Sequence, residues 1–395
     1  MFRKVAVGIS GGVDSAVAAL LLKKRGFEVV GAFMKNWDQV DEKGICPGEA
    51  DWEDAQWVCR KLDIPLVQVN FVKEFWNDVF GHFLKDYQNG LTPVPDILCN
   101  RHVKFDRFYH YATQHLNVDA ISTGHYARSS FGTYLEHFSE ASDNRLLNAR
   151  DSFKDQTFFL SLIPQMTLRK TMFPLGELLK KEVKEIAKGG GMDRISRKKE
   201  STGICFIGKR NFHEFIKEYI EDKPGIFIDF DTGKILGSHN GIHYWTIGQR
   251  CNIGGMKKPM FVLARNIIDN SITVVGGTDH PALYTTTVYT STPYWIAENP
   301  LDKGILNCRF RFQHTKELVN CVVAKTASNG LHIKLEKALR AITPGQYAVF
   351  YKDGECLGSA RITEPGPSLH FCSNVDSKYL ETSFTGVENV ARVCH

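Results

Sequence analysis

A chain of 395 residues has room for two or three separately packed domains. Its 43% apolar and 24% charged residues match ordinary globular proteins, which excludes collagen-like and disordered classes, and no apolar run reaches the roughly 18 residues of a membrane-spanning helix. A formal net charge of +5 leans mildly toward anionic partners and is too small to mark a nucleic-acid binder by itself.

The first ten residues, MFRKVAVGIS, lack a secretory pattern, and residues 4–9 read as a buried strand. AVAALLLKKRG (16–26) predicts a helix with its basic residues late and Gly26 as its stop. EVVGAFM (28–34) is a second strand. DWEDAQWVCRKLD (51–63) opens on acids and closes on Arg60 and Lys61, as a helix dipole prefers. PLVQVNF is a third strand, helix patterns follow at 73–89 and 101–115, and DAISTGHYA (119–127) is a fourth strand with its loop. Such alternation predicts an α/β fold with a doubly wound parallel sheet.

Beyond the basic, glycine-containing stretch 188–203 and a short helix around 211–221, the period changes to two. GIFIDFDTGKILGSHNGIHYWTIGQ alternates between Asp-Thr-Gly and His-Asn-Gly turn signals, and the pattern stays strand-like from about 283 to 363. The expected division is an α/β domain over 1–215, a small β-rich central domain over 216–281, a β-barrel or sandwich over 282–365, and a patternless tail over 366–395.

Ser10-Gly11-Gly12-Val13-Asp14-Ser15 fills the turn between the first strand and the first helix, where phosphate loops work. Its glycines let backbone N–H groups approach an anion, and the helix N-terminus adds a favourable dipole. A Walker loop would carry G-x-x-x-x-G-K-[ST]; the missing lysine disfavours γ-phosphoryl transfer. An aspartate beside pyrophosphate repels it unless a divalent cation lies between, so Asp14 is expected to face ATP through Mg²⁺. A plain β–α turn is the bland alternative, and the strand, helix and paired serines argue against it.

The ten cysteines contain no C-x-x-C, which argues against a zinc module and a disulfide scaffold. Cys99 follows Pro93 and Pro95 where a helix pattern begins, so a lowered thiol pKa is expected there. Cys205 is flanked by Lys198, Lys199, Lys209 and Arg210, which also favour thiolate. The other cysteines read mostly as small buried hydrophobes. His239 and His243 span a glycine turn and are rejected as a metal site.

SGGVDS resembles the pyrophosphatase loop of ATP enzymes that adenylate an oxygen and release pyrophosphate. Taken with GAFMKNWD, PDILCN, STGHYA, KDQTFFLS, STGICFIGKRNF, TIGQRCNIGG, TDHPALY and TPGQYAVFYKDGECLG, most of the chain resembles the tRNA-specific 2-thiouridylases. CRFRFQH and TDHPALY resemble the animal mitochondrial form. The resemblance implies an adenine nucleotide alpha hydrolase-like domain followed by a C-terminal β-barrel. It implies 2-thiolation of the wobble uridine of mitochondrial tRNAs (Lys, Glu and Gln acceptors), with ATP and Mg²⁺, a persulfide sulfur donor protein, no membrane insertion, and a place in the mitochondrial matrix.

By the same resemblance Cys205 carries the persulfide and Cys99 is its nucleophilic partner, releasing sulfide or forming a disulfide with it. Gly8, Ile9, Ser10, Gly11, Gly12, Val13, Asp14 and Ser15 would hold ATP, with Met34 and Gly124 lining the nucleotide site. Val94, Pro95 and Asp96 fall on the target-base segment, where the family's usual Asn-Pro-Asp has become Val-Pro-Asp. His125, Lys154, Asp155, Gln156, Arg311, Phe312 and Gln346 match tRNA-contacting positions. For Arg311 the bland reading is an exposed strand face, and for the basic residues 194–210 a solvated surface set against a phosphate-backbone contact. Two other classes compete: a synthetase of the same loop family that amidates a small metabolite, and a non-catalytic RNA-binding relative.

Overall fold

The computed structural model of the protein describes residues 2–38, 47–198, 206–208 and 210–374. Strands β1 (Lys4–Gly8), β2 (Glu28–Lys35), β3 (Leu66–Asn70) and β4 (Ala120–Ser122) form a sheet with Thr171–Met172, in the order β3-β2-β1-β4-(Thr171–Met172). Every neighbouring pair is parallel. Val5, Ala6 and Val7 are wholly buried, as a strand covered on both faces requires. One face is covered by helices α1 (Val13–Lys24) and α2 (Pro47–Leu62), the other by the helical stretches 72–88 and 95–115. The doubly wound reading therefore holds. After β3 the chain crosses to the far side of β1, and the C-terminal edge of β1 becomes the switch point where such sheets bind ligands.

One boundary differs in a way that matters. The helix expected from 101 opens at Pro95, running as Pro95–Leu98, a π-helical Cys99–Arg107 and Phe108–His115. Proline suits the first helical position because its missing N–H is not needed there. Cys99 consequently lies inside the helix rather than at its N-terminus.

A second, five-stranded sheet runs Arg250–Cys251, Met260–Asn266, Ser271–Gly276, Gly225–Asp229, Ile235–His239 in spatial order. The Asp-Thr-Gly signal is its hairpin turn, with Gly233 at φ +68°. In the third sheet, Tyr284–Thr290, Leu331–Arg340, Val319–Lys325, Leu306–Arg311, Tyr347–Lys352 and Glu355–Pro365 pair in turn. Glu355–Pro365 also pairs back onto Tyr284–Thr290, so the six strands close into a barrel and the sandwich alternative falls. Val288, Phe310, Val323, Ile333, Phe350 and Ile362 fill its interior. Two short strands from the N-terminal part, Arg128–Ser129 and Leu146–Leu147, extend this sheet through Leu147 and Leu146 opposite Glu355 and Cys356. Two-residue strands have no readable period, so this join left no trace in the sequence pattern.

Candidate active site

The loop Ser10–Ser15 stands at the switch point. Gly11 has φ +72°, and a Cβ on it would lie 2.4 Å from the Asp51 carbonyl oxygen, so both backbone shape and space demand glycine. Gly12 is the N-cap of α1, and no described side chain caps that end. Its first N–H groups are therefore suited to an anion. Ser15 Oγ donates to Gly12 O (3.1 Å) and accepts from Ser10 N (3.1 Å), which closes the loop on itself. Gly124, after β4, is so close that a Cβ there would be 2.6 Å from Ser15 N. A Cβ on Gly8 would be 3.0 Å from the Met34 methyl. Gly8, the loop, Met34 and Gly124 thus converge on one place.

Asp14 is not left bare. Its Oδ1 accepts from the Tyr126 hydroxyl at 2.8 Å, and Lys180 Nζ lies 2.7 Å from both carboxylate oxygens. Lys180 Nζ also stands 5.6 Å from the Tyr126 ring centroid. Sequence reading missed both partners: Tyr126 was one letter in STGHYA, and Lys180 is 166 positions from Asp14. The basic stretch is also engaged. Lys198 Nζ bonds Asp51 (2.7 Å), Asp54 (2.8 Å) and the Gly11 carbonyl (3.3 Å), while Arg194 pairs with Asp54 at 2.7 Å. Burial pulls the Lys198 pKa down, but its hydrogen bonds to the two aspartates outweigh this and hold it above the usual value. Lys198 is therefore clamped between α2 and the loop, while Arg194 pairs with α2 alone and keeps about half of its side chain exposed (54%).

A second cluster adjoins the first. Cys99 is 5% exposed, and burial pushes its thiol pKa up, with Asp96 adding to the rise and Lys104 opposing it. This overturns the expected lowered pKa: the helix dipole acts within the first turn, and Cys99 lies beyond it. Burial likewise raises Asp96, again against Lys104. His125 is buried, its Nδ1 2.8 Å from Thr123 Oγ1 and its ring 5.6 Å from Phe105. Burial and then Lys104 hold its pKa well below the ordinary histidine value, so the ring is neutral. Lys104 acts on all three groups. It follows Cys99 by five residues, the repeat that a π-helical segment brings to one side; a lone lysine in CNRHVKF carried no such signal.

Cys205, with Lys199 and Lys209, lies outside the described residues. Phe206, the next residue, is buried in the apolar cluster that also contains Cys99, against Phe80 and Phe83. Val94 and Asp96 are half-buried and Pro95 buried at the start of the Cys99 helix.

The remaining tRNA-matched positions fall at the junction with the barrel. Gln156 Oε1 accepts from Tyr126 N at 2.9 Å and so holds the STGHYA loop. Arg311 Nη2 bonds Asp155 Oδ2 and the Tyr351 hydroxyl, each at 3.1 Å, and its Nη1 donates to His314 O at 3.2 Å. The side chains of Arg311 and Asp155 are only 10% and 5% exposed, so the exposed-strand reading of Arg311 is wrong. Phe312 belongs to the barrel core. Gln346 Nε2 donates to Thr92 O at 3.0 Å, two residues ahead of Val94. Lys154 is half-buried on the turn between exposed Phe153 and buried Asp155. Among the described residues no group of three or more His, Cys, Asp or Glu could hold a metal, and no helix is long and apolar enough to cross a membrane.

Comparison with known proteins gives the family. Three family models cover the chain in succession: tRNA methyl transferase HUP domain over 3–209, tRNA methyl transferase PRC-barrel domain over 213–276, and aminomethyltransferase beta-barrel domain over 285–362. Mitochondrial tRNA-specific 2-thiouridylase 1 of Drosophila melanogaster is 54% identical over 93% of this chain and 95% of its own. The Homo sapiens protein of that name is 48% identical over 93% and 92%. A tRNA-specific 2-thiouridylase of Alkaliphilus oremlandii is 42% identical over 91% and 97%. The model names speak of methyl transfer and the relatives' names of thiolation; a phosphate loop beside a buried cysteine fits the second. The chain belongs to the tRNA-specific 2-thiouridylase family.

Proposed function

We propose that the protein uses ATP to 2-thiolate the wobble uridine of mitochondrial tRNAs, including Lys, Glu and Gln acceptors, in the mitochondrial matrix. The observation that carries this reading is the STGHYA loop. Gly124 abuts Ser15, Tyr126 holds Asp14, and His125 between them shares Lys104 with Asp96 and Cys99. One short loop therefore joins a phosphate cradle to a buried nucleophile, which suits activation and sulfur transfer on a single base. The family's relatives favour this over a metabolite synthetase or a non-catalytic RNA binder.

The uridine C2 oxygen attacks the α-phosphorus of ATP, the bond to the bridging oxygen breaks, and pyrophosphate leaves. Backbone N–H groups of Gly11–Asp14 at the uncapped end of α1 stabilise that leaving charge. Mg²⁺, when bound, would supply further charge neutralisation on the phosphates, and Asp14, the one carboxylate of the loop and already paired with Lys180, is the residue that would face it. A persulfide on Cys205, charged by a sulfur donor protein, then delivers its outer sulfur to C2 and the C2–O bond to AMP breaks. Cys99 thiolate attacks the Cys205 sulfur, either after that step or to free sulfide first. The outer sulfur departs and a Cys99–Cys205 disulfide remains, for an external thiol to reduce. Asp96 and neutral His125 position the base, while Lys154, Asp155, Gln156, Arg311, Phe312 and Gln346 shape the tRNA-facing junction.

Incubation with ATP, Mg²⁺, a persulfide donor and unmodified tRNA tests the reading. One AMP and one pyrophosphate should appear per 2-thiouridine formed. Thiolation that proceeds without ATP, or ATP cleavage with no thiolated base, contradicts it.

A further inference from the structure

Phe153 is 92% exposed, the most exposed of the large apolar side chains among the described residues. A single apolar side chain on a surface is ordinary, but this one stands on a turn that is held fixed. Asp151 Oδ1 accepts from Phe153 N at 3.1 Å and from Lys154 N at 3.2 Å, and its Oδ2 accepts from Lys180 N at 2.8 Å. At the far end of the turn, Tyr126 N donates to Gln156 Oε1 and Gln156 N to Tyr126 O, both at 2.9 Å. The Tyr126 hydroxyl and the Lys180 ammonium each reach Asp14 in the phosphate loop. Both ends of the turn are thus tied to partners of that loop, and between them an aromatic ring is held out in water.

Chemistry on a base of the anticodon loop gives such a ring a task. To bring its C2 oxygen to ATP, the wobble uridine must leave the stack of its neighbours. The base beside it then loses a stacking partner, and its open face is left to water. Single-stranded RNA is held by aromatic side chains that stack on base faces of this kind, with little regard to sequence. A ring already fixed in place by its turn loses little freedom when it does so.

We propose that Phe153 stacks on a base next to the wobble uridine and fills the place that the extruded uracil leaves. It is a positioning residue: it holds the anticodon loop open with the target base turned out, and it touches neither ATP nor the transferred sulfur. This rests on the reading that the protein thiolates the wobble uridine of tRNA.

Thiolation by the full chain at saturating ATP and varied tRNA tests it, for wild type, Phe153→Ala, Phe153→Leu and Phe153→Tyr. Loss of one base–aromatic stack in Phe153→Ala should lower kcat/KM for tRNA about tenfold or more, with ATP affinity held within about twofold. Phe153→Tyr keeps the ring and should stay near wild type, whereas Phe153→Leu keeps only apolar volume and should resemble Phe153→Ala. Two further substrates carry an abasic nucleotide on one side or the other of the wobble uridine. With the one that lacks the stacked base, wild type and Phe153→Ala should perform alike, because the ring has lost its partner. An unchanged kcat/KM in Phe153→Ala, full activity in Phe153→Leu, or the same deficit on both abasic tRNAs as on intact tRNA overturns the assignment. Wild-type protein that thiolates no tRNA removes the thiolation reading itself.

Discussion

Cys99 is a nucleophile kept out of water. Its raised pKa leaves it more protonated near neutrality than an ordinary thiol of about 8.5, and Lys104 is the group that works against this. Site-specific alkylation of Cys99, followed by mass spectrometry, should therefore keep accelerating as pH rises through and beyond the ordinary thiol range. Lys104→Met should slow it at any pH below that pKa, by raising the pKa further. A rate already at its plateau near pH 7 contradicts this picture. The identity of Cys99 was legible from PDILCN, but its environment was not. That depended on where the helix begins, and its opening at Pro95 instead of 101 changed the sign of the pKa argument.

Among the elements, the loop Ser10–Ser15 and the turn after β4 work as one unit. A Cβ on Gly124 would meet Ser15 N at 2.6 Å and the Asp14 carbonyl carbon at 2.8 Å, both backbone atoms that cannot swing aside. Gly124→Ala should push α1 from the turn, costing roughly 1–3 kcal/mol of stability and weakening ATP binding. Thermal unfolding and nucleotide titration on one sample check both; unchanged behaviour in each would show that the turn does not brace the loop. Gly11 and Gly12 were readable because glycine between a strand and a helix has few other uses, and Gly124 was readable only through the resemblance. Lys180 and Tyr126 were not, since a pair 166 positions apart is set by packing and leaves no local pattern.

At the scale of the molecule, the Asp155–Arg311 pair joins the α/β part to the barrel with little water around it. Removing one partner of a buried pair strands the other, so Arg311→Ala should cost about 3–5 kcal/mol, read as a lowered urea midpoint. A midpoint equal to wild type would mean that the junction does not depend on the pair. Periodicity alone made the doubly wound sheet and the β-rich C-terminal half legible, because both rest on long repeats of buried positions. The strands Arg128–Ser129 and Leu146–Leu147, which stitch the two halves together, were too short to read. The central claim is that ATP activates the tRNA base before sulfur reaches it. Cys205→Ser incubated with α-phosphate-labelled ATP and unmodified tRNA tests this most directly: label should accumulate on the tRNA with no 2-thiouridine. Full thiolation by that variant, or no label on tRNA that the wild-type protein thiolates, would contradict the account.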